Sequence, residues 1–401
     1  MPERLLRLLL LLAACLLSLT FLASHGTSDV TYYWLQWLQN SAILGPVEGY
    51  RASSSDYPPL THLFLFLLAK LSSTLSLSPF LALKWSMVAM LFLSAAIFAA
   101  WTKDLLAPAV LIITLLMNSV ALGYLDIWTA PFFIGAMWAL QRNRLFVFAI
   151  LFSTASLIKW QPLIIAPFLL IYILRTFPPT QPLRSILPPV LVIVGAVAGI
   201  FSVSEVRRAL SRALGHTMIS GNALNLGWIV TYFLHVFWPA TFGRAAAGTA
   251  DYIYIESART ATLSKLGFEL AYLAVLVMFW KKRMSFENLM AFSLLGYLTY
   301  FLFNIGVHES HLFQACLLGA ILWHVNPGWK LTFAAWAAAA NINLLVFYGL
   351  DGGGLPFPRA VHLDISVCFA AINVALYGVL CWMVLRGLLS QQDGRTMGES
   401  R

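Results

Sequence analysis

The sequence predicts an all-α protein that crosses a membrane many times. Apolar residues make up 60% of the 401 residues and charged residues only 10%, and the mean hydropathy is +0.81. A soluble chain of this length needs far more charge to cover its surface, whereas lipid-facing helices need none. The basic residues, which give a formal net charge of +9, are scattered between apolar runs. This distribution indicates the cytoplasmic turns of a membrane protein and argues against a nucleic-acid-binding face.

The first predicted span begins with basic residues. Arg4 and Arg7 lie at the start of an apolar run that continues to Ala23, about the ~20 residues that a membrane span requires. We therefore expect a retained first helix that starts in the cytoplasm. The chain then forms one integral membrane domain over 1–390 and a polar cytoplasmic tail over 391–401. When the basic turns are placed inside, twelve spans are predicted: 5–23, 80–101, 105–122, 129–141, 145–159, 161–175, 186–203, 265–281, 286–304, 310–325, 330–349 and 365–386.

The predicted spans leave three outer loops, 24–79, 204–264 and 350–364. Within these loops, 60–77 and 226–241 are apolar enough to be spans themselves. If only one of these two segments crossed the membrane, every later turn would lie on the opposite side, and basic turns would then be outside. We therefore expect helices that lie in the interface or dip back into the membrane, among them interfacial helices in the first outer loop.

Two acids of the first outer loop each precede a predicted helix. Asp56 opens "DYPPL" ahead of an apolar run, and Asp29 precedes an aromatic, amphipathic stretch after the first span. Either acid could cap its helix, because aspartate is a favoured N-cap and proline a favoured first helical residue. A carboxylate held at the membrane surface could instead act as a general base for a hydroxyl that attacks a lipid-linked target. Local sequence leaves both interpretations open.

Four places in the chain together carry a resemblance to one known family. They are Asp29 after the first span, "DYPPLTHL" at 56–63, "SLIKWQPLIIAPF" at 156–168 and "NIGVHESHLF" at 304–313. With them the sequence resembles the GT-C glycosyltransferases that use polyprenyl-phosphate-linked sugars. It looks most like the endoplasmic-reticulum glucosyltransferases that extend dolichol-linked oligosaccharide. The resemblance implies a GT-C-like fold and an inverting transfer of a hexose from a polyprenyl-phosphate carrier to a lipid-linked or cell-envelope acceptor.

The resemblance also implies roles for individual residues. Asp29 matches the acid regarded as the catalytic base, and Asp56, followed by Tyr57, matches the second acid that supports the same site. His308 and Glu309 match a histidine and acid element in which the histidine approaches the donor phosphate.

One further candidate follows from the resemblance, and the others follow from residue chemistry. Lys159 matches a basic position of the family at the outer end of a helix. Arg207, Arg208 and Arg212 lie roughly on one face of a helix in the second outer loop. Guanidinium groups suit phosphate oxygens, and anionic lipid headgroups are an equally good explanation. Asp126 in "GYLDIWTAP" lies in a tight outer turn, which explains it as a turn residue and also places it near the other outer carboxylates.

The predicted partners are a polyprenyl-phosphate-linked sugar donor, a glycan or lipid-linked acceptor and membrane lipid, with no nucleic acid. No cofactor is expected. A divalent metal at "HESH" (308–311) is an alternative that we do not favour, because this is not the "HExxH" spacing of zinc sites. The active face would be periplasmic or extracellular in a prokaryote and luminal in a eukaryote. The alternatives from other classes are a transporter or flippase and an oligosaccharide ligase or polymerase. The ionisable residues crowd the outer face and avoid the bilayer midplane, which argues against a transporter.

Overall fold

The computed structural model describes residues 3–243, 253–353 and 359–398 of the chain. These residues are 82% helical and contain no β-strand, so the predicted all-α class is confirmed. Short 3-10 or π-helical segments connect or extend several of the α-helices. The α-helices, in chain order, are α1 Glu3–Thr20, α2 Leu35–Ala52, α3 Pro59–Thr74, α4 Pro79–Thr102, α5 Leu106–Leu115, α6 Ala130–Gln141, α7 Leu145–Ile158, α8 Ala166–Thr176, α9 Thr180–Ser185, α10 Leu187–Phe201, α11 Val203–Leu214, α12 Leu226–Phe237, α13 Pro239–Phe242, α14 Ala258–Lys281, α15 Phe286–Phe303, α16 Leu312–Val325, α17 Lys330–Tyr348 and α18 Arg359–Gly398.

Many of these helices suit a membrane. Among the described residues, the segments long and apolar enough to cross one are Glu3–Ala23, Pro79–Thr102, Thr180–Phe201, Arg259–Lys281, Phe286–Phe303, Pro327–Tyr348 and Ile365–Arg386, seven in all. They coincide with seven of the predicted spans. The remaining predicted spans correspond to the shorter helical segments Leu106–Ala121, Ala130–Gln141, Leu145–Ile158, Gln161–Thr176 and Leu312–Val325. The chain is therefore compatible with an integral membrane protein, and the total of twelve spans stays a prediction.

The first outer loop contains helices where interfacial helices were expected. A π-helical turn, Val30–Trp34, continues into α2, and α3 follows after a short turn. Helix α2 is interrupted at Gly45, whose φ of 80° lies in the left-handed region. Pro46 follows this break and has no amide hydrogen to continue the ladder. The other segment expected at the interface, 226–241, contains α12 and the short α13.

Some of the predicted segments fall partly outside the described residues. This is true of the outer loops 204–264 and 350–364 and of the end of the tail 391–401. The tail is helical through Gly398 as the continuation of α18.

The described residues divide into two compact units. Unit 1 contains the described residues of 3–163, 177–216 and 344–353. Unit 2 contains 164–176 and the described residues of 217–343 and 359–398.

In unit 1, α4 packs against α3, α5 and α6. Helix α1 packs on α5, α2 on α3, and α6 on α7. A separate apolar cluster of Tyr50, Val197, Phe201 and Ala209 joins α2, α10 and α11. Apolar packing of this kind fixes the ends of the helices to which the polar candidates are attached.

In unit 2, α15 is the central helix. It packs against α8, α12, α14, α16 and α18, and it is buried without interruption from Leu289 to Leu298. A helix that is apolar all round belongs inside a helical assembly, because every face then has an apolar neighbour. The turn that follows α15 contains the predicted residues His308 and Glu309.

Candidate active site

Tyr57 lies at the centre of a polar and aromatic group in unit 1. Its ring centroid is 5.2 Å from that of Trp34 and 5.5 Å from that of Trp37. The Lys159 ammonium lies 5.1 Å from the centroid of the same ring, within cation–π distance. The Tyr50 hydroxyl donates a hydrogen bond of 3.1 Å to the Tyr57 carbonyl. Burial, with a smaller effect from a nearby carboxylate, raises the pKa of Tyr50, so this hydroxyl keeps the proton that it donates.

Asp126 and Lys159 form a buried ion pair beside that ring. The Lys159 Nζ lies 2.5 Å from Asp126 Oδ2, and the two residues are only 5% and 3% exposed. Asp126 lies in the 3-10 segment Leu125–Thr129, and Lys159 adopts an extended conformation directly after α7. Removing both charges from water is costly, and the pair offsets this cost only while both partners are present. The structure thus brings two of the predicted residues together as an ion pair with no net charge.

Asp56 lies in the same part of unit 1 and is connected to the second outer loop. Its Oδ2 is 3.4 Å from His216 Nε2, and both side chains are about one-third exposed. Trp160 donates a hydrogen bond of 2.8 Å to the Asp56 carbonyl. Arg212 donates to the carbonyl of the adjoining Ser55 at 3.3 Å. The carboxylate of Asp56 is therefore accessible and has an imidazole beside it.

The helix-capping interpretation of Asp56 is wrong for α3. The cap residue of that helix is Pro58, which makes no side-chain capping hydrogen bond. Proline at the first helical position, Pro59, loses no hydrogen bond because the first amides of a helix have no intrahelical acceptor. Asp56 therefore lies ahead of the cap position of α3.

Asp29 lies at the beginning of the π-helical turn Val30–Trp34 and is partly buried. It has helical dihedral angles and makes no side-chain capping hydrogen bond, so its capping interpretation is also wrong. The turn that it begins ends at Trp34, whose ring contacts Tyr57. The preceding residues pair with another loop, since the Thr27 amide donates to the Leu122 carbonyl at 2.8 Å. Asp29 is thus attached at both ends to elements that carry other predicted residues.

The three predicted arginines lie on the exposed side of α11. Arg208 and Arg51 both contact the carboxylate of Glu205, which is 8% exposed. Arg207 and Arg208 border an open groove with Val203, Ser204 and Ser211. Within the described part of the chain Arg207 has no ion-pair partner. The arginines therefore differ: Arg208 is paired, Arg212 donates to a backbone carbonyl, and Arg207 is available to an anion.

His308 and Glu309 lie in unit 2. His308 caps the 3-10 turn Glu309–His311 in a reciprocal arrangement, in which its side chain accepts from the His311 amide and the His311 ring accepts from the His308 amide. Tyr300 contacts His311 Nδ1 at 3.1 Å, and the His308 and Glu309 side chains approach only to 4.0 Å. Gly221 lies against the His308 ring, since a Cβ there would be 2.8 Å from Nδ1. Backbone hydrogen bonds also join this turn to Gly221, since the Glu309 amide donates to the Gly221 carbonyl at 3.1 Å.

The described regions contain no group of three or more His, Cys, Asp or Glu side chains arranged to hold an ion. His308, Glu309 and His311 are close in sequence without forming such a group.

Sequence reasoning missed two buried polar residues of unit 1. His62 is completely buried in α3 between the rings of Trp37 and Tyr50, with centroid distances of 5.2 and 4.8 Å. Neither ring nitrogen has a hydrogen-bond partner among the described residues. Lys84 is completely buried in α4. A signal for Lys84 was present, because it is the single charged residue of the span 80–101, where an ionisable group is functional by default.

Comparison with known proteins adds no identity to this geometry: no protein-family model matches the chain and no curated protein matches it.

Proposed function

We propose that this protein is a membrane glycosyltransferase of the GT-C type. It moves a hexose from a polyprenyl-phosphate carrier to a lipid-linked or cell-envelope acceptor on the non-cytoplasmic face. The observation that carries the proposal is the grouping around Tyr57. There Asp56 and the Asp126–Lys159 pair come from three distant stretches of chain, and His216 of the second outer loop approaches the Asp56 carboxylate. Paired and accessible carboxylates beside cationic groups suit a reaction that both removes a proton and releases a phosphate.

The proposed reaction is a displacement at the anomeric carbon. Asp29 accepts the proton of the acceptor hydroxyl, and the hydroxyl oxygen forms the new glycosidic bond. The bond from the anomeric carbon to the phosphate oxygen breaks, and its electron pair leaves with polyprenyl phosphate. Phosphate departs as an anion and needs little protonation, so cationic groups near it suffice. No cofactor takes part in these steps.

The candidate cations contribute differently to this proposal. Lys159 is already paired with Asp126, so a donor phosphate would have to join an existing pair. Arg207 has no such competitor and is exposed, which makes it the better-placed arginine for a phosphate at the membrane surface. The contact of His308 with the donor phosphate remains a prediction from the family resemblance, and so does the accompanying role of Glu309.

Asp29→Asn tests the proposed base. The amide has nearly the shape of the carboxylate and cannot accept the proton, and loss of a general base commonly lowers the rate about 10²–10⁴-fold. Sugar transfer is measured by mass spectrometry of lipid-linked glycans. The glycans are taken from cells with the wild-type gene, cells without the gene and cells with the variant. Glu48→Gln is the matched control. Glu48 is an exposed acid of the same loop, and among the described residues its ion-pair partner is Arg51 alone.

Three results would contradict the proposal in different ways. Full turnover by Asp29→Asn would remove Asp29 from the mechanism. An equal loss in Glu48→Gln would show that any acid of the loop matters. If a glycan that lacks no hexose accumulated on the cytoplasmic side of the membrane in cells without the gene, the protein would instead be a transporter.

The face of the membrane is tested by cysteine labelling. Ser76 lies between α3 and α4, and Asn143 lies in the basic turn between α6 and α7; both are exposed. An impermeant thiol reagent added from the non-cytoplasmic side should label Ser76→Cys and spare Asn143→Cys. Labelling of residue 143 from that side would overturn the predicted orientation.

A further inference from the structure

Lys84 is a fully buried lysine inside a candidate membrane-spanning helix. It is 0% exposed and is the only charged residue of α4. A charged side chain in such a place is costly unless every donor finds an acceptor. Within the part of the chain that the structure describes, no carboxylate pairs with it.

The ammonium of Lys84 is satisfied by three oxygens that carry no full charge. It donates to Ser24 Oγ at 2.7 Å, to the Ala121 carbonyl at 3.3 Å and to the Val120 carbonyl. The two carbonyls end the π-helical turn Met117–Ala121. The last carbonyls of a helix lack intrahelical partners and carry partial negative charge. Lys84 therefore binds a helix C-terminus, and its three protons match three acceptors.

The contact also joins two segments of chain that lead to predicted acids, residues 24–30 and residues 120–123, which we call the two strips. Ser24 Oγ lies 2.7 Å from the Ala121 carbonyl, and the Thr27 amide donates to the Leu122 carbonyl. The strips approach closely at Gly123, which has a φ of +79° and where a Cβ would lie 2.3 Å from a methyl of Val30.

One strip, residues 24–30, contains Asp29. The other, residues 120–123, leads directly into the segment with Asp126. Lys84 is buried and contacts both strips close to their first residues.

We infer that Lys84 is a positioning residue, which holds the strip carrying Asp29 against the strip leading to Asp126. That Lys84 holds the two strips together rests on the hydrogen bonds alone. That this contact affects hexose transfer rests on the proposed function. A residue needed only for stability would be better replaced by an apolar side chain of similar shape, because burying an ammonium is unfavourable. Holding a reacting group in place is a different matter, since a displacement of about 1 Å can lower a rate about 10²-fold.

Two variants and one control test the inference in the full-length protein in detergent. Lys84→Met keeps the length of the side chain and removes the charge and all three hydrogen bonds. Ser24→Ala keeps the ammonium and removes one acceptor, so it remains informative if the methionine variant fails to fold. Lys70→Met is the control, because Lys70 is an exposed lysine of the neighbouring helix α3.

The first measurement is hydrogen–deuterium exchange, which does not depend on the reaction. Peptides covering 24–30 should exchange at least tenfold faster in Lys84→Met and by a smaller factor in Ser24→Ala, while peptides of α6 and α15 stay unchanged. The second measurement is hexose transfer at saturating donor and acceptor. We expect a 10- to 100-fold loss of kcat with KM within twofold of wild type, and no change in the Lys70→Met control.

The two measurements separate failure of the inference from failure of the proposed function. Wild-type exchange over 24–30 in both variants overturns the inference, as does a faster exchange that is spread evenly over the protein. Faster local exchange with wild-type kcat overturns the catalytic part of it. If wild-type protein transfers no hexose, the proposed function fails, and exchange alone still decides whether Lys84 holds the strip.

Discussion

The group around Tyr57 in unit 1 and the turn at His308 in unit 2 are built in different ways. In unit 1 the Asp126–Lys159 pair joins residues 33 positions apart, and Asp56 meets a histidine 160 positions away. In unit 2 the partners of His308 in its capping arrangement lie within three residues. Backbone hydrogen bonds also connect this turn to a distant loop, where the Glu309 amide donates to the Gly221 carbonyl at 3.1 Å and the Gly221 amide donates to the Val307 carbonyl at 2.8 Å. The first group keeps charges in a buried place where apolar residues would also pack, so it has the stronger claim to chemistry.

The largest effect is expected from breaking the buried pair of unit 1. Asp126→Asn leaves the Lys159 ammonium buried without a countercharge, and loss of one partner of such a pair lowers the free energy of unfolding by about 3–5 kcal/mol. The double variant Asp126→Leu with Lys159→Met should recover most of this loss and remain unable to transfer sugar. Unfolding of purified protein in detergent measures the first effect and hexose transfer the second.

A control for this experiment is available in the same unit. Glu48 and Arg51 form an exposed pair, with side chains 57% and 47% exposed, and such pairs contribute about 0–1 kcal/mol. Glu48→Gln should therefore change the free energy of unfolding by less than about 1 kcal/mol. If Asp126→Asn were no more destabilising than Glu48→Gln, the pair would not be buried in the way described.

A smaller effect is expected from acid acting on His62. Burial lowers the pKa of His62 to about 3, with an opposing influence from Asp56, whereas an unfolded histidine has a pKa of about 6.5. Between these values the unfolded chain binds a proton that the folded chain does not, so stability present above about pH 6.5 falls as the pH decreases. From pH 7 to pH 5 this one group should lower the free energy of unfolding by roughly 2 kcal/mol.

Replacing the histidine tests this assignment. His62→Leu should remove that part of the pH dependence, measured as the free energy of unfolding in detergent at a series of pH values. The matched measurement on wild type, over the same series of pH values, is the reference for this comparison. A pH dependence that persists in His62→Leu would mean that another group causes it.

The smallest effect is expected at the turn in unit 2. His308→Ala and His311→Ala each remove one half of the capping arrangement, which should lower stability by a similar amount of about 1 kcal/mol. If His308 also contacts a donor phosphate, only His308→Ala should lower transfer, by roughly tenfold or more, as for loss of a hydrogen bond to a charged group. A chelator should not reproduce this loss. Equal losses of transfer in both variants, restored by added divalent metal, would instead indicate a metal site.

Sequence patterns located more of the helices than of the contacts. The first interfacial segment was expected at 60–77 and the helix runs Pro59–Thr74, because apolar runs bounded by proline and polar turns mark helix ends well. The same patterns led us to interpret Asp29 and Asp56 as possible caps, which the structure corrects. A favoured cap residue close to a helix start is a statistical signal, and Pro58 occupies the cap position of α3 instead.

The sequence by itself determined that this chain is helical and suited to a membrane, since that follows from composition and from the length of apolar runs. It also marked Asp29, Asp56 and Lys159 as candidates through short motifs. Only the tertiary structure decided that Lys159 pairs with Asp126, that His216 reaches Asp56 and that Lys84 binds the end of another helix. The reason is physical: helical periodicity records which face of a helix is apolar, and it carries no information on which loops and helix ends the packed helices bring together.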